Sequence, residues 1–216
     1  MRFTIHAAEQ RSPEWFQSRL GRLTGSRAAD AINFLKGGKE SAARRDYRME
    51  LVCERLTGKA DEDGFVSDSM QRGIDLEPAA LMAYEQLTGA VAQPSGFLAL
   101  NDVMAGCSLD GQIDNFTGIL EIKCPKTATH LGYRKLSTAP DDYLPQITHN
   151  LWVTGAQWCD FLTFDDRLPA ELQTALVRVK RSEVDIDGYE KAAKAFLAEV
   201  DAEVESLRSA IKGAAA

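Results

Sequence analysis

The stretch Cys107-Ser-Leu-Asp-Gly-Gln-Ile-Asp-Asn-Phe-Thr-Gly-Ile-Leu-Glu-Ile-Lys-Cys-Pro125 constrains this chain more than any other part of it. It reads as two short strands joined through Asn115 to Gly118, with Asp110 ending the first and Glu121 and Lys123 on the second. Side chains alternate faces along a strand, so Glu121 and Lys123 project together while Leu120, Ile122 and Cys124 form an apolar opposite face. An ordinary half-exposed hairpin, with Asp110 or Glu121 paired to Lys123, would show the same alternation. The rest of the chain decides between a salt bridge and a site.

Two carboxylates close together across a hairpin are hard oxygen donors of the kind that Mg2+ takes. With Asp110 and Glu121 as ligands, the Ile122 carbonyl lies between Glu121 and Lys123 and offers a third oxygen. A lysine beside such a site can orient a water, help remove its proton, or offset charge on a phosphorus under attack. Two acids and a lysine therefore suit phosphodiester hydrolysis. They suit acyl transfer poorly, since no Ser or Cys with a partner His is evident, and no Gly-rich phosphate loop marks a nucleotide-dependent enzyme.

Upstream, Pro13 to Leu20 reads as a helix stopped by Gly21, and Ser26 as the cap of a second helix whose free amides favour an anion. Arg19, Arg22 and Ser26 thus read either as the surround of a phosphate pocket or as surface arginines beside an ordinary helix cap. A helix from Ala42 to Leu56 ends at Gly58. Asp61-Glu-Asp-Gly lacks calcium-loop spacing and reads as a solvated loop. Ser67 to Thr88 is helical, with Ile74, Leu81, Tyr84 and Leu87 as its apolar stripe. Pro78 calls for a kink or a fresh start near Glu77, from which that carboxylate can point into a cleft.

Downstream, strands are expected over Ser95–Leu100, Val103–Leu109, Gln112–Asn115, Ile119–Lys123, Trp158–Phe164 and Leu176–Lys180. Helices are expected from Pro125 to Leu136, from Tyr143 to Thr154, and from Asp187 to Lys212 with Phe196, Val200, Val204 and Leu207 inward. His149, on the second of these helices, reads as a packing residue. The fold class is α/β (α+β): a central mixed sheet flanked by helices, in one domain over residues 1–216, with no repeat and only the Ala214–Ala216 tail disordered.

Composition narrows the partners. No apolar run reaches the ~20 residues of a membrane span, and the start lacks a signal peptide's apolar core, so a cytoplasmic protein with no membrane partner is expected. Cys53, Cys107, Cys124 and Cys159 form no Cys-x-x-Cys pair and read as reduced, buried residues. Net charge is −7, yet residues 1–59 hold 12 Lys and Arg against 7 Asp and Glu, and the remainder 13 against 25. Screening confines charge effects to about 8 Å, so a locally basic region can still attract phosphate. The helix bearing Arg44, Arg45 and Arg48 reads either as a solvated face or as such a region.

Asp110 followed by Glu121-Ile122-Lys123 is the acidic-acidic-x-lysine signature of restriction-endonuclease-like nucleases, and the chain resembles their lambda exonuclease branch, the phage recombination exonucleases. The likeness runs in order through Trp15–Ser26, Arg72–Glu77, Cys107–Gly111, Leu120–Pro125 and Gln146–Thr154. It implies a restriction-endonuclease-like core and an Mg2+-dependent exonuclease, with Mn2+ as a substitute, degrading one strand of linear double-stranded DNA from a 5′-phosphorylated end. By resemblance, Asp110 and Glu121 are the metal-binding acids, Lys123 the catalytic lysine, and Glu77 a further acid for the second metal. Arg19, Ser26, Ser108 and Gln146 match the pocket for the terminal 5′-phosphate. A ring-shaped homotrimer and a single-strand annealing protein are the implied partners; such a ring would let the basic N-terminal third line a channel with the acidic C-terminal helix facing solvent. The alternatives are another nuclease of this fold, endonucleolytic or helicase-associated, and a catalytically silent DNA-end-binding scaffold, against which the intact Asp110, Glu121 and Lys123 count.

Overall fold

The structure, a computed structural model, describes residues 2–60 and 67–214. The loop expected at 61–64 and the last two residues of the expected tail lie outside the described residues. Among the described residues eight strands form two four-stranded sheets, so the expected mixed sheet is divided in two. The first contains β1 (Phe3–His6), β2 (Leu23–Thr24), β3 (Phe97–Leu100) and β4 (Ala105–Ser108), in the order β1-β3-β4-β2. The second runs β5-β6-β7-β8, from β5 (Gly111–Ile113), β6 (Gly118–Lys123), β7 (Trp158–Phe164) and β8 (Thr174–Lys180). The β2–β4 and β6–β7 pairs are parallel and the others antiparallel.

The chain passes from one sheet to the other at Leu109 and Asp110, between β4 and β5. Asp110 therefore stands at the seam rather than at the end of one continuous hairpin strand. The following turn carries Asp114, Asn115 and Phe116 in left-handed backbone conformations, and Gly118 then enters β6 beneath the Trp158 indole. A Cβ at Gly118 would lie 2.1 Å from that ring, so no larger residue fits without moving the tryptophan. Leu120, Ile122 and Cys124 pack on one side of β6 against Ala80 and Tyr84, as the alternation requires.

Among the described residues seven α-helices cover the sheets: α1 (Pro13–Arg19), α2 (Ala28–Ala31), α3 (Ala42–Thr57), α4 (Asp68–Thr88), α5 (Thr127–Tyr133), α6 (Leu144–Thr154) and α7 (Ile186–Ala214). Ser12 caps α1, accepting from the Trp15 amide, and left-handed Gly58, Gly89 and Gly155 end α3, α4 and α6. α6 and α7 share the larger core with Tyr47, Leu51, Trp152 and Phe196.

Several expectations are corrected. Ser26 does not cap a long helix: it lies in a single 3-10 turn, Gly25–Arg27, and α2 stops at Ala31 because the chain folds back between Phe34 and Glu40. α4 runs as one helix with Pro78 inside it, so there is no fresh start near Glu77. Leu87 and Leu207 are exposed, whereas Tyr84 is buried as expected, together with Ala80. Cys53 is exposed and Cys124 half-buried, unlike Cys107 and Cys159. His149 is a packing residue as expected; its Nε2 donates to the Gly106 carbonyl at 2.9 Å and its Nδ1 accepts from the Tyr189 hydroxyl at 2.8 Å.

The basic helix α3 does not present a free cationic face. Buried Arg44 forks onto Glu199 of α7 at 2.8 and 2.9 Å and reaches Glu40 at 2.5 Å. Arg48 pairs with Glu203, Arg55 with Asp201, and exposed Arg45 with its neighbour Asp46. The acids Glu199, Asp201 and Glu203 of α7 thus pair with the basic residues of α3, because the two helices pack together.

Candidate active site

Strand β6 brings Glu121 and Lys123 to one face, with Lys123 Nζ 2.5 Å from Glu121 Oε1. Glu121 is fully buried, so its second oxygen and remaining lone pairs need donors. Helix α6 supplies them. Gln146 Nε2 stands 2.6 Å from Glu121 Oε1, and Asn150 Nδ2, one turn later on the same helix face, 3.0 Å from Oε2. Gln146 therefore holds a site acid in this structure, whereas the resemblance placed it at the phosphate. Asn150 was missed; its i+4 spacing from Gln146 was the available signal. Asn150 in turn lies against Gly25, where a Cβ would come within 2.4 Å of its Oδ1.

Asp110 approaches from the seam. Its Oδ2 accepts the Ile122 amide at 2.6 Å, which sets the carboxyl beside Glu121 and Lys123. Burial, followed by the charge of Glu121, pushes the Asp110 carboxyl up to about 8. Burial pulls the Lys123 ammonium down, but Glu121 and Asp110 outweigh it and the net direction is up. Lys123 thus stays charged, 5.4 Å from the centre of the Tyr143 ring.

A cleft of about 530 Å3 opens over these groups and collects Ser26, Glu77, Asp110, Ile122, Lys123 and Tyr143. Glu77 reaches it from α4 with its carboxylate turned to Arg11, 3.7 Å away. Among the described residues no three His, Cys, Asp or Glu side chains converge in ligating positions as the chain stands. The donor set nonetheless fits a hard divalent cation: the acids are oxygen donors, and the crowding that raises the Asp110 carboxyl is what a cation relieves. Cys124 lines the same cleft, but burial pushes its thiol up to about 11, so it offers no thiolate to a softer metal.

Next to this cleft lies a second, of about 390 Å3, which shares Ser26 and contains Arg19. Arg19 is stacked on Trp15, 4.1 Å from the ring centre, and its Nη1 donates to Ser108 Oγ at 3.5 Å. Trp15 Nε1 donates to the same oxygen at 2.9 Å, which leaves the Ser108 hydroxyl proton free to be donated elsewhere. Among the described residues no carboxylate lies within ion-pair distance of Arg19, and burial lowers its pKa without a counter-charge in contact. Arg19, Ser108 and Ser26 are thereby brought to one side of Lys123, and Trp15 is the supporting residue that sequence reasoning gave no role.

Residues 14–157 match the YqaJ-like viral recombinase domain. The chain belongs to that family, a family of recombination-associated nucleases in the lambda exonuclease group. Two crystal structures of LHK-Exo, an alkaline exonuclease from Laribacter hongkongensis, are similar to this YqaJ-like chain at 38% and 39% identity and a TM-score of 0.83. Each alignment covers 93% of this chain and 99% of theirs, and one of the two is a complex with dAMP. A phage-related exonuclease from Haemophilus somnus 129PT, 15% identical with a TM-score of 0.63, covers 86% of this chain and 96% of its own and shares the fold, which is restriction-endonuclease-like. No curated protein matches the sequence. No helix among the described residues is long and apolar enough to cross a membrane.

Proposed function

We propose that this chain is an Mg2+-dependent exonuclease that degrades the 5′-ended strand of linear double-stranded DNA from a 5′-phosphorylated end, leaving 3′ single-stranded overhangs for recombination by strand annealing. One observation carries the reading: the cleft holding Asp110, Glu77, Ile122 and Lys123 shares Ser26 with the cleft holding Arg19. A terminal phosphate bound beside Arg19 would leave the first internucleotide linkage near Lys123. The dAMP bound by LHK-Exo is a nucleoside monophosphate, the class of product such cleavage releases.

Asp110, Glu121, the Ile122 carbonyl and Glu77 would hold the metal, with Mn2+ as a substitute for Mg2+. Bound there, it supplies Lewis-acid polarisation of the phosphate and a more acidic water. Gln146 and Asn150 keep the Glu121 carboxylate oriented, and the Ile122 amide does the same for Asp110. Lys123, held charged, offsets negative charge building on the phosphoryl oxygens and donates a hydrogen bond to them. Arg19 and the Ser108 and Ser26 hydroxyls bind the terminal phosphate dianion, which a 5′-hydroxyl end lacks. The whole chain acts as one cytoplasmic nuclease domain, as a homotrimer working with a single-strand annealing protein.

The test is degradation of linear duplex bearing 5′-phosphate or 5′-hydroxyl ends, with Mg2+ or a chelator, by the wild type and Lys123→Ala. Rapid digestion only of the phosphorylated ends, only with metal and only by the wild type is expected. Equal digestion by Lys123→Ala overturns the mechanism, and indifference to the 5′ group overturns the pocket.

A further inference from the structure

The clefts form a row. The Arg19 cleft and the Lys123 cleft meet at Ser26, and the Lys123 cleft meets a third, of about 720 Å3, at Arg11, Glu77 and Asp110. The third cleft runs between Ala7–Arg11, Pro94–Gly96 and the β5–β6 turn with Asn115 and Phe116. Among the described residues lining it Arg11 is the sole cation, beside the acids Glu9, Glu77 and Asp110.

Arg11 is unusual in two further respects. Its backbone is left-handed, with φ at 71°, although it is neither glycine nor asparagine. The three other non-glycine residues with positive φ among those described, Asp114, Asn115 and Phe116, belong to the turn bordering the same cleft. Such conformations persist where surrounding structure enforces them, and they gather at binding and catalytic sites. Here the turn closed by the Ser12 amide on the Glu9 carbonyl, at 3.0 Å, carries Arg11 out between the two clefts just before α1 begins. The guanidinium is about half exposed, at 46%, and its one charged neighbour, Glu77, is 3.7 Å away, too far for a hydrogen bond. All its N–H donors are unspent among the described residues. This contrasts with Arg44, Arg48 and Arg55, which α7 neutralises.

We propose that Arg11 grips an internal phosphodiester of the strand being cut, on the side of the scissile linkage opposite the Arg19 pocket. The inference rests on the nuclease reading for the direction in which the strand lies. A strand whose terminal phosphate sits at Arg19 and whose first linkage lies at Lys123 continues into the third cleft. There Arg11 is the group able to fork onto a phosphate. Arg11 is thus a substrate-binding residue that sets the register of the strand, distinct from the groups that recognise its end.

Binding measured by fluorescence anisotropy with a chelator present tests this without any need for activity. The probe is a linear duplex with a 5′-phosphate in which one linkage at a time, along the first few of the 5′ strand, is a neutral methylphosphonate. Neutralising the gripped linkage should weaken wild-type binding about tenfold, as expected for one charge-assisted contact. Arg11→Ala should bind the unmodified duplex that much more weakly, lose its sensitivity to that one linkage, and lower the salt slope by about one phosphate. Its preference for 5′-phosphate over 5′-hydroxyl ends should stay at the wild-type value, whereas Arg19→Ala should lose that preference and keep the linkage sensitivity. Arg11→Gly, which relieves the left-handed backbone, should fold with a melting temperature no lower than the wild type and show the same binding defect. Wild-type-like binding by Arg11→Gly, or a linkage profile for Arg11→Ala identical to that of the wild type, overturns the proposal. Loss of the 5′-phosphate preference in the wild type would instead count against the end-recognition reading and leave the linkage result to stand for Arg11.

Discussion

The amide of Ile122 donates to Asp110 Oδ2 across 2.6 Å, which ties the seam between the two sheets to the strand carrying Glu121 and Lys123. Asn at position 110 can still accept that bond through its amide oxygen but carries no charge. Asp110→Asn should therefore fold with near wild-type stability and lose about 10²–10³-fold or more in Mg2+-dependent digestion of linear duplex. Circular dichroism melts beside a digestion time course check both halves of this expectation.

Gln146 and Asn150 separate a positioning role from a phosphate-binding one. Each donates to an oxygen of fully buried Glu121, so removing either donor leaves a buried charge short of a partner, at a cost of about 1–3 kcal/mol. Gln146→Ala should slow digestion of 5′-phosphate and 5′-hydroxyl ends by the same factor and raise the Mg2+ concentration needed. A selective loss on 5′-phosphate ends would return Gln146 to the phosphate pocket. Asn150→Asp, which sets a second carboxylate against Glu121, should lower the melting temperature more than Asn150→Ala.

Arg44 is structural. Its side chain is 4% exposed, forks onto Glu199, donates to the Ala31 carbonyl at 3.0 Å and lies over Phe34. Arg44→Ala should destabilise the fold by about 3 kcal/mol in denaturant titrations, since it strands acids and opens space between α3 and α7. The salt dependence of DNA binding by the folded fraction should not change, unlike that of Arg11→Ala.

His149 makes stability depend on pH. Burial holds its imidazole down at about 4, against 6.5 for a free side chain. The folded state therefore binds the proton more weakly than the unfolded chain. The neutral ring's contribution is complete above about 6.5 and is lost as pH falls toward 4, by roughly 3 kcal/mol in all. Urea titrations at pH 7 and pH 4.5 should show a larger fall for the wild type than for His149→Gln, which retains a donor for the Gly106 carbonyl but cannot titrate.

Much of the fold was legible because its signals act over a few residues. β7 matches its expected bounds, and Pro13 and Gly58 mark helix ends by the backbone chemistry of single residues. The helix expected from Ser26 failed for a non-local reason: the bridge between Phe34 and Glu40 draws the chain back before a third turn can form. Likewise, Leu87 fits a helical stripe by spacing, yet it is exposed, because burial depends on what packs against the helix and not on spacing alone.

The sequence by itself determined the face shared by Glu121 and Lys123, since strand alternation admits no other placement, and it put an acid at Asp110 within reach of them. Only the tertiary structure decided which charges are spent and which are free. Arg44 and Glu199 are 155 positions apart, as are Arg48 and Glu203, and no local pattern announces that they meet. Because α7 closes on α3, those basic residues are neutralised. Arg11, in the left-handed turn just before α1, keeps only a long 3.7 Å ion contact with Glu77 and no side-chain hydrogen bond among the described residues. Charge counts along a chain give the inventory of ions; only packing, through desolvation and pairing, gives the ones that remain for a ligand.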